Sequence, residues 1–193
     1  MNSYRLAGDK VIFWGSFLSN WYPCNIKYKG LDFSSSEQLF MWMKAKHFKD
    51  EEIANEILKC KTPKEAKKLG RKVRGFDQSV WDDVKVKYMH DAIDCKFEQN
   101  PELKSKFMEL GESRFFVEGS PYDKIWGIGL DWQDVRAENE LLWKGHNLLG
   151  ELLNELWHEY AINDGSKKIK LTGIIDSLKK IKLTDIFKDE HFE

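Results

Sequence analysis

The chain has 193 residues, 41% of them hydrophobic and 33% charged, with a formal net charge of −1. That length and balance exclude a disordered chain and fit one well-packed domain with room for an appendage. The near-zero charge excludes a global field for nucleic acid, so any phosphate would need a local basic cluster.

Three cysteines, Cys24, Cys60 and Cys95, lack the C-x-x-C spacing of a zinc knuckle and are too few and odd in number for a disulfide framework. The five histidines are scattered, and neither a metal nor another cofactor is expected. The first residues carry no apolar signal region, and no apolar run approaches membrane-spanning length, so the chain is expected in the cytosol.

In chain order, Val11 to Trp14 reads as a short buried strand. Leu18 to Pro23 reads as a loop punctuated by Asn and Pro. Ile26–Tyr28 and Leu31–Phe33, joined by Lys29-Gly30, read as a hairpin. A helix apolar nearly all round follows, from about Ser35 to Phe48, and such a helix is buried. Four more helices are predicted. The first spans Glu51 to Lys59, and the next runs from the capping box at Thr62 to about Gly70. A long one, capped by Asp77, runs to about Glu98 with Val80, Val84, Tyr88, Ala92 and Cys95 along one side. The fourth runs from Pro101 to Gly111.

Arg114 to Glu118 reads as a strand, and residues 119–134 as a loop rich in Gly, Trp and Asp. Asn147 to Tyr160 forms the last core helix, with Leu148, Leu149, Leu152, Leu153 and Leu156 on its apolar side. The expected fold is mainly α, an α+β domain with a small hairpin or sheet, over residues 1–162. Residues 163–193 form an expected appendage in which Lys-Lys-Ile-Lys-Leu-Thr occurs at 167 and again at 179.

Four clusters carry candidate chemistry. Glu37 and Lys44 bracket the buried helix on one stripe, about 10 Å apart along its axis. An ionised group beside such a surface costs free energy unless it is paired or used. Ser34-x-x-Glu37 is also a capping box, which gives Glu37 a purely structural alternative. The loop from Ser120 to Trp132 compresses Asp123, Trp126 and Gly127 together. It offers a carboxylate, a stacking face and a backbone able to approach a ligand, although a tight turn explains its glycines equally well. In Gly70-Arg-Lys-Val-Arg-Gly75, Arg71 and Arg74 are either helix-end charges or a phosphate clamp. Asn147 is either the N-cap of the last helix or an amide reaching a ribose hydroxyl.

The succession S-S-E-Q-x-F with Lys44, L-G-R-K-V-R-G-F-D, W-D-x-V-K, K-F-E-Q-N-P-E-L, S-P-Y-D-K-I-W-G-I-G and G-x-N-L-L-G resembles the YbiA-like, or NADAR, family from about Phe13 to Tyr160. The resemblance implies a compact, mainly helical N-glycosidase. Its substrate would be a base-like ring on a ribose phosphate, as in early riboflavin-pathway intermediates, or ADP-ribose on guanine in nucleic acid. It implies an active site at Glu37, Lys44, Trp81, Asp123, Trp126 and Asn147, with Asn20 in a further family motif.

Glu37 is the first candidate for acid–base chemistry and Asp123 the second. Lys44 would stabilise an anion or, when neutral, form a Schiff base. Arg71 and Arg74 would hold phosphate by charge logic. A non-catalytic ADP-ribose-binding module is the third reading.

Overall fold

The computed structural model describes residues 3–163. Five strands and six helices follow in the order β1 (Tyr4–Ala7), β2 (Lys10–Phe13), β3 (Ile26–Tyr28), β4 (Leu31–Phe33), α1 (Ser36–His47), α2 (Glu51–Leu58), α3 (Pro63–Gly70), α4 (Gln78–Gln99), α5 (Pro101–Gly111), β5 (Phe115–Glu118) and α6 (Leu148–Asn163), with two 3-10 turns, Val135–Glu138 and Glu140–Leu142, before α6. The chain divides into two compact units, Met1–Trp157 and His158–Glu193, and the boundary falls within α6. The duplicated Lys-Lys-Ile-Lys-Leu-Thr segments lie outside the described residues.

The fold is the expected α+β arrangement. Strands β3 and β4 form the hairpin, with Tyr28 opposite Leu31 and Lys29 and Gly30 at positive φ. A three-stranded sheet has the order β1-β2-β5. In it β2 runs parallel to β5, pairing Phe13 with Glu118, so five helices lie on the crossover between two adjacent strands. The sequence reading had no β1, because Tyr-Arg-Leu-Ala is an edge strand whose residues are at most half-buried.

The sheet's inner residues Ile12 and Val117 pack with Ile128, Leu130 and Ala137 from the long loop. Phe97, Phe107 and Phe116 stack in series, with ring centroids 4.3 and 5.1 Å apart. Together they join α4, α5 and β5.

Two details depart from the sequence reading. The N-cap of α1 is Ser35, whose hydroxyl accepts the Gln38 N–H at 3.2 Å. The Gln38 side chain in turn accepts from the Ser34 N–H at 2.8 Å and donates to the Ile57 carbonyl at 2.9 Å. The cap therefore belongs to Ser35 and Gln38, one residue later than expected, and the Glu37 side chain takes no part in it. In α4 the buried stripe is Trp81, Lys85, Met89, Ala92, Ile93, Lys96 and Phe97, whereas Val80 is 43% exposed. The helix is turned so that Trp81 and Met89 are covered, which carries two lysines inward with them.

Candidate active site

The site is assembled on the first turn of α1. Glu37 is 2% exposed. Its backbone N–H donates to the Asn20 carbonyl at 2.9 Å, and the Asn20 amide donates to Glu37 Oε2 at 2.5 Å. Two contacts from one residue fix both the backbone and the carboxylate. Among the described residues, Oε1 of Glu37 has no hydrogen-bond partner. Burial raises the Glu37 pKa to about 7. Lys67 pulls it down, Asp123 pushes it up, and the Trp21 indole and Arg71 favour the charged form.

The loop that carries Asn20 is itself held by a buried cation. Lys96, fully enclosed, donates to the carbonyls of Phe17 at 2.5 Å and Ser19 at 2.9 Å. Burial lowers its pKa to about 7, opposed by Cys24. Lys96 thus reaches Glu37 through two adjacent residues, the Ser19 carbonyl and the Asn20 side-chain amide.

Lys44 lies with its ammonium 4.0 Å from the Phe76 ring centroid and 5.4 Å from that of Trp81. Burial and the like charge of Arg71 lower its pKa to about 8, while Glu37 opposes the shift. An amine lowered this far is neutral in a substantial fraction near neutral pH, the state a nucleophilic lysine needs.

Phe40, one turn after Glu37, stands between two indoles. Its centroid is 5.2 Å from Trp81 and 5.6 Å from Trp126. Trp81 is buried and backs this wall; Trp126 is half-buried and gives it an accessible face.

The remaining expected residues are placed as follows. Asp123 Oδ1 accepts the N–H groups of Ile125 at 3.0 Å and Trp126 at 2.8 Å, and Oδ2 faces Lys67 at 3.8 Å. Its carboxylate shapes the loop that presents Trp126 and lies close enough to act on Glu37 electrostatically. Gly127 allows close packing: a Cβ there would stand 2.9 Å from the Glu118 carbonyl oxygen and 3.0 Å from that of Asp123.

Asn147 is buried, at φ 55°. Its Oδ1 accepts the Glu118 N–H at 2.9 Å and its amide donates to the Phe116 carbonyl at 3.1 Å, so its side chain stitches the start of α6 to β5. Arg71, at the end of α3, acts on both Glu37 and Lys44. Arg74 turns elsewhere: its guanidinium binds Asp50 through Nε at 3.0 Å and Nη2 at 2.5 Å, and Glu52 at 2.8 Å. That pairing holds the Asp50 carboxyl well below the usual carboxylate range.

Four residues enter the site that the sequence reading did not assign to it: Trp21, Lys67, Lys96 and Glu118. Lys67 stands four residues before Arg71, hence on the same face of α3. Glu118 stands two residues after the buried Phe116, so the strand period points it inward. Trp21 adjoins Asn20 in the punctuated loop. Lys96 opens the K-F-E-Q-N-P-E-L motif, but nothing in the sequence marked it as buried, because a helical lysine is expected outside.

Among the described residues, no group of three or more His, Cys, Asp or Glu side chains is placed to hold a metal ion. No helix there is long and apolar enough to cross a membrane.

The sequence profile of the NADAR domain matches residues 12–160. An N-glycosidase of Acanthamoeba polyphaga mimivirus is 39% identical over 146 residues, covering 73% of this chain and 85% of the relative. The N-glycosidase YbiA of Escherichia coli is 32% identical over 162 residues, 84% of this chain and 89% of YbiA. The NMR structure of E. coli YbiA matches with a TM-score of 0.68 at 27% identity, covering 88% of this chain and 98% of that one. A riboflavin biosynthesis protein of Vibrio vulnificus is 30% identical over 125 residues, 65% of this chain and 32% of that longer protein.

This fold, with a buried carboxylate beside an aromatic wall and relatives named N-glycosidases, defines a hydrolase acting on N-glycosyl compounds. The chain belongs to the NADAR domain family.

Proposed function

We propose that the enzyme hydrolyses the N-glycosidic bond between a heteroaromatic ring and a phosphoribosyl unit, with ribosylaminopyrimidine phosphates of early riboflavin synthesis as the substrate class. The observation that carries the reading is Glu37, a buried carboxyl held by Asn20, with one oxygen that has no hydrogen-bond partner among the described residues. Breaking the bond from C1′ to nitrogen builds positive charge on the sugar, as in other glycoside hydrolysis, and a positioned carboxylate stabilises that charge and activates water. Trp126 supplies a face for the ring. Lys67 and Arg71 supply charge for the phosphate. Lys44 either stabilises developing negative charge or, when neutral, forms a Schiff base with the opened sugar. The name of the Vibrio relative supports a small metabolite, and the free cysteines Cys24, Cys60 and Cys95 fit a cytosolic setting.

A second reading, removal of ADP-ribose from guanine in nucleic acid, is favoured by one feature. Trp14 and Tyr122 are 42% and 87% exposed, with ring centroids 6.5 Å apart, and Tyr122 adjoins Asp123. Paired exposed rings are what an additional base would stack on.

The test is product release. Wild type and Glu37→Gln are incubated with a ribosylaminopyrimidine phosphate and with an ADP-ribosylated guanine oligonucleotide, and mass spectrometry follows ribose 5-phosphate and ADP-ribose. Release of ribose 5-phosphate by wild type alone supports the first reading. Release of ADP-ribose alone favours the second. Binding without turnover of either substrate returns the protein to a non-catalytic binding module.

A further inference from the structure

Glu118 ends β5 where the chain turns into the loop of Ser120 to Trp132. Its main chain is fixed on every side. The N–H donates to Asn147 Oδ1 at 2.9 Å, and the carbonyl accepts the N–H groups of Ser120 and Ile128, each at 3.0 Å. Gly127 packs against that carbonyl too closely for any larger residue to fit unmoved.

The side chain contrasts with this. The residue is 7% exposed, and Oε2 is buried with no hydrogen-bond partner among the described residues. Native structures rarely leave a buried carboxyl oxygen unmatched, and an exception calls for a functional explanation.

The charged groups that act on Glu118 come from three elements: Asp123 from the loop, Lys67 from α3 and Glu37 from α1. Two are negative, and the single cation stands against Asp123 at 3.8 Å. An ionised carboxylate so placed is desolvated, and its Oε2 has no hydrogen-bond partner among the described residues. Burial foremost, then Asp123 and Glu37, raise the Glu118 pKa to about 8 against the pull of Lys67. Glu37 lies lower, at about 7. The Asn20 amide donates to Glu37 and so favours its charged form, whereas Glu118 Oε2 is buried with no donor among the described residues, which suits a neutral acid.

We propose that Glu118 is the proton donor of the glycosidic cleavage, its buried carboxyl giving a proton to the leaving ring while the Glu37 carboxylate serves the sugar. The inference rests on the N-glycosidase reading above. The C1′–N bond breaks with both electrons going to nitrogen, and that nitrogen takes the Glu118 proton. Water adds to C1′ and gives a proton to Glu37. The net reaction consumes one water, and transfer of one proton from Glu37 to Glu118 through solvent restores the pair.

The test compares two probes that differ in what their leaving ring requires. A ribosylaminopyrimidine phosphate needs a proton on its departing nitrogen. Nicotinamide riboside phosphate carries a cationic ring that leaves without one. Glu118→Gln keeps the shape and removes the acid. The expected result is a melting temperature at or above that of wild type. On the first probe kcat falls about 100-fold or more with KM within about threefold, and on the second kcat falls less than about threefold. Glu37→Gln slows both.

Equal losses for Glu118→Gln on both probes, or a loss below about threefold on the first, overturn the proposal while leaving the glycosidase reading intact. If wild type accepts only the first probe, the size of the kcat loss there decides, with KM within about threefold and the melting temperature no lower than that of wild type. If Glu118→Gln does not fold, Glu118→Asp, which withdraws the acid by one methylene, is expected to slow the first probe selectively. An equal loss on both again overturns the proposal. A wild type silent on both probes overturns the glycosidase reading, and this inference with it.

Discussion

Replacing either buried glutamate with glutamine stabilises the fold at alkaline pH while turnover of the ribosylaminopyrimidine phosphate is lost. Both carboxyls start from an ordinary value of 4.5, and in the folded protein burial raises Glu37 to about 7 and Glu118 to about 8. The folded state therefore binds more protons than the unfolded chain between those values. The contribution to stability is full below about 4.5 and is lost as pH rises through 7 and then 8. At about 1.4 kcal/mol per pKa unit, the loss by pH 8.5 is at most roughly 3 kcal/mol for Glu37 and roughly 5 kcal/mol for Glu118. The two act on each other, so their losses do not simply add. Each kcal/mol moves the melting temperature of a chain this size by about 2–4 °C.

Glu118→Gln is thus expected to melt roughly 5–15 °C above wild type at about pH 8.5, and within about 2 °C of it at about pH 4.5. Glu37→Gln should follow with a smaller gain. Thermal melts across that range, with urea titrations at both ends, measure the difference. A gap between wild type and variant that stays constant from about pH 5 to 8.5 would refute the reasoning, because it would mean that neither carboxyl is desolvated in the folded protein.

Four further outcomes follow from the site. Lys96→Met trades a buried ammonium for a well-filled apolar chain but leaves the Phe17 and Ser19 carbonyls without their donor. It should cost roughly 1–3 kcal/mol by urea denaturation and, through a loosened Asn20, lower kcat about tenfold near neutral pH while leaving KM nearly unchanged. Arg71→Ala should raise KM for a phosphorylated substrate about tenfold with little change in melting temperature. Arg74→Ala should leave KM unchanged and lower the melting temperature, because it removes the guanidinium partner of the buried Asp50 and leaves only the backbone donors. Asp123→Asn keeps an acceptor for the Ile125 and Trp126 N–H groups but removes a negative charge that raises both glutamates. Both folded pKa values should fall, and the acid limb of the pH–rate profile, which requires ionised Glu37, should move to lower pH.

The legible parts of the fold were those with local chemistry. The hairpin was marked by Lys29-Gly30, α3 by Thr62 and Pro63, α4 by Asp77 and α5 by Pro101. Each places a cap, a fixed φ or a positive φ where one residue type is strongly preferred. The parallel pairing of β2 with β5 had no such mark. Its partners are about a hundred residues apart, and only the packing of the intervening helices brings them together. The buried face of α4 was misjudged for a related reason. Periodicity counts apolar residues, and this stripe contains Lys85, paired with Asp82 one turn back, and Lys96, whose carbonyl partners come from a distant loop.

The site divides along the same line. Glu37, Lys44 and the Ser120–Trp132 loop stood out because their residue types conflict with their surroundings: a charge beside a buried helix, or a carboxylate and an indole pressed into a glycine turn. Glu118 conflicts with its surroundings just as strongly, yet at the end of a short strand in sequence it looks like an ordinary solvated charge. The deciding difference for Glu37 is a shift of one residue in the cap. With Ser34 as the cap, the Glu37 carboxylate would close the helix start and be satisfied there. With Ser35 as the cap, Gln38 takes that duty, and the buried Glu37 carboxylate turns instead to the Asn20 amide and Trp21. A neutral amide performs the structural task, which leaves the ionisable group one position earlier free for proton chemistry.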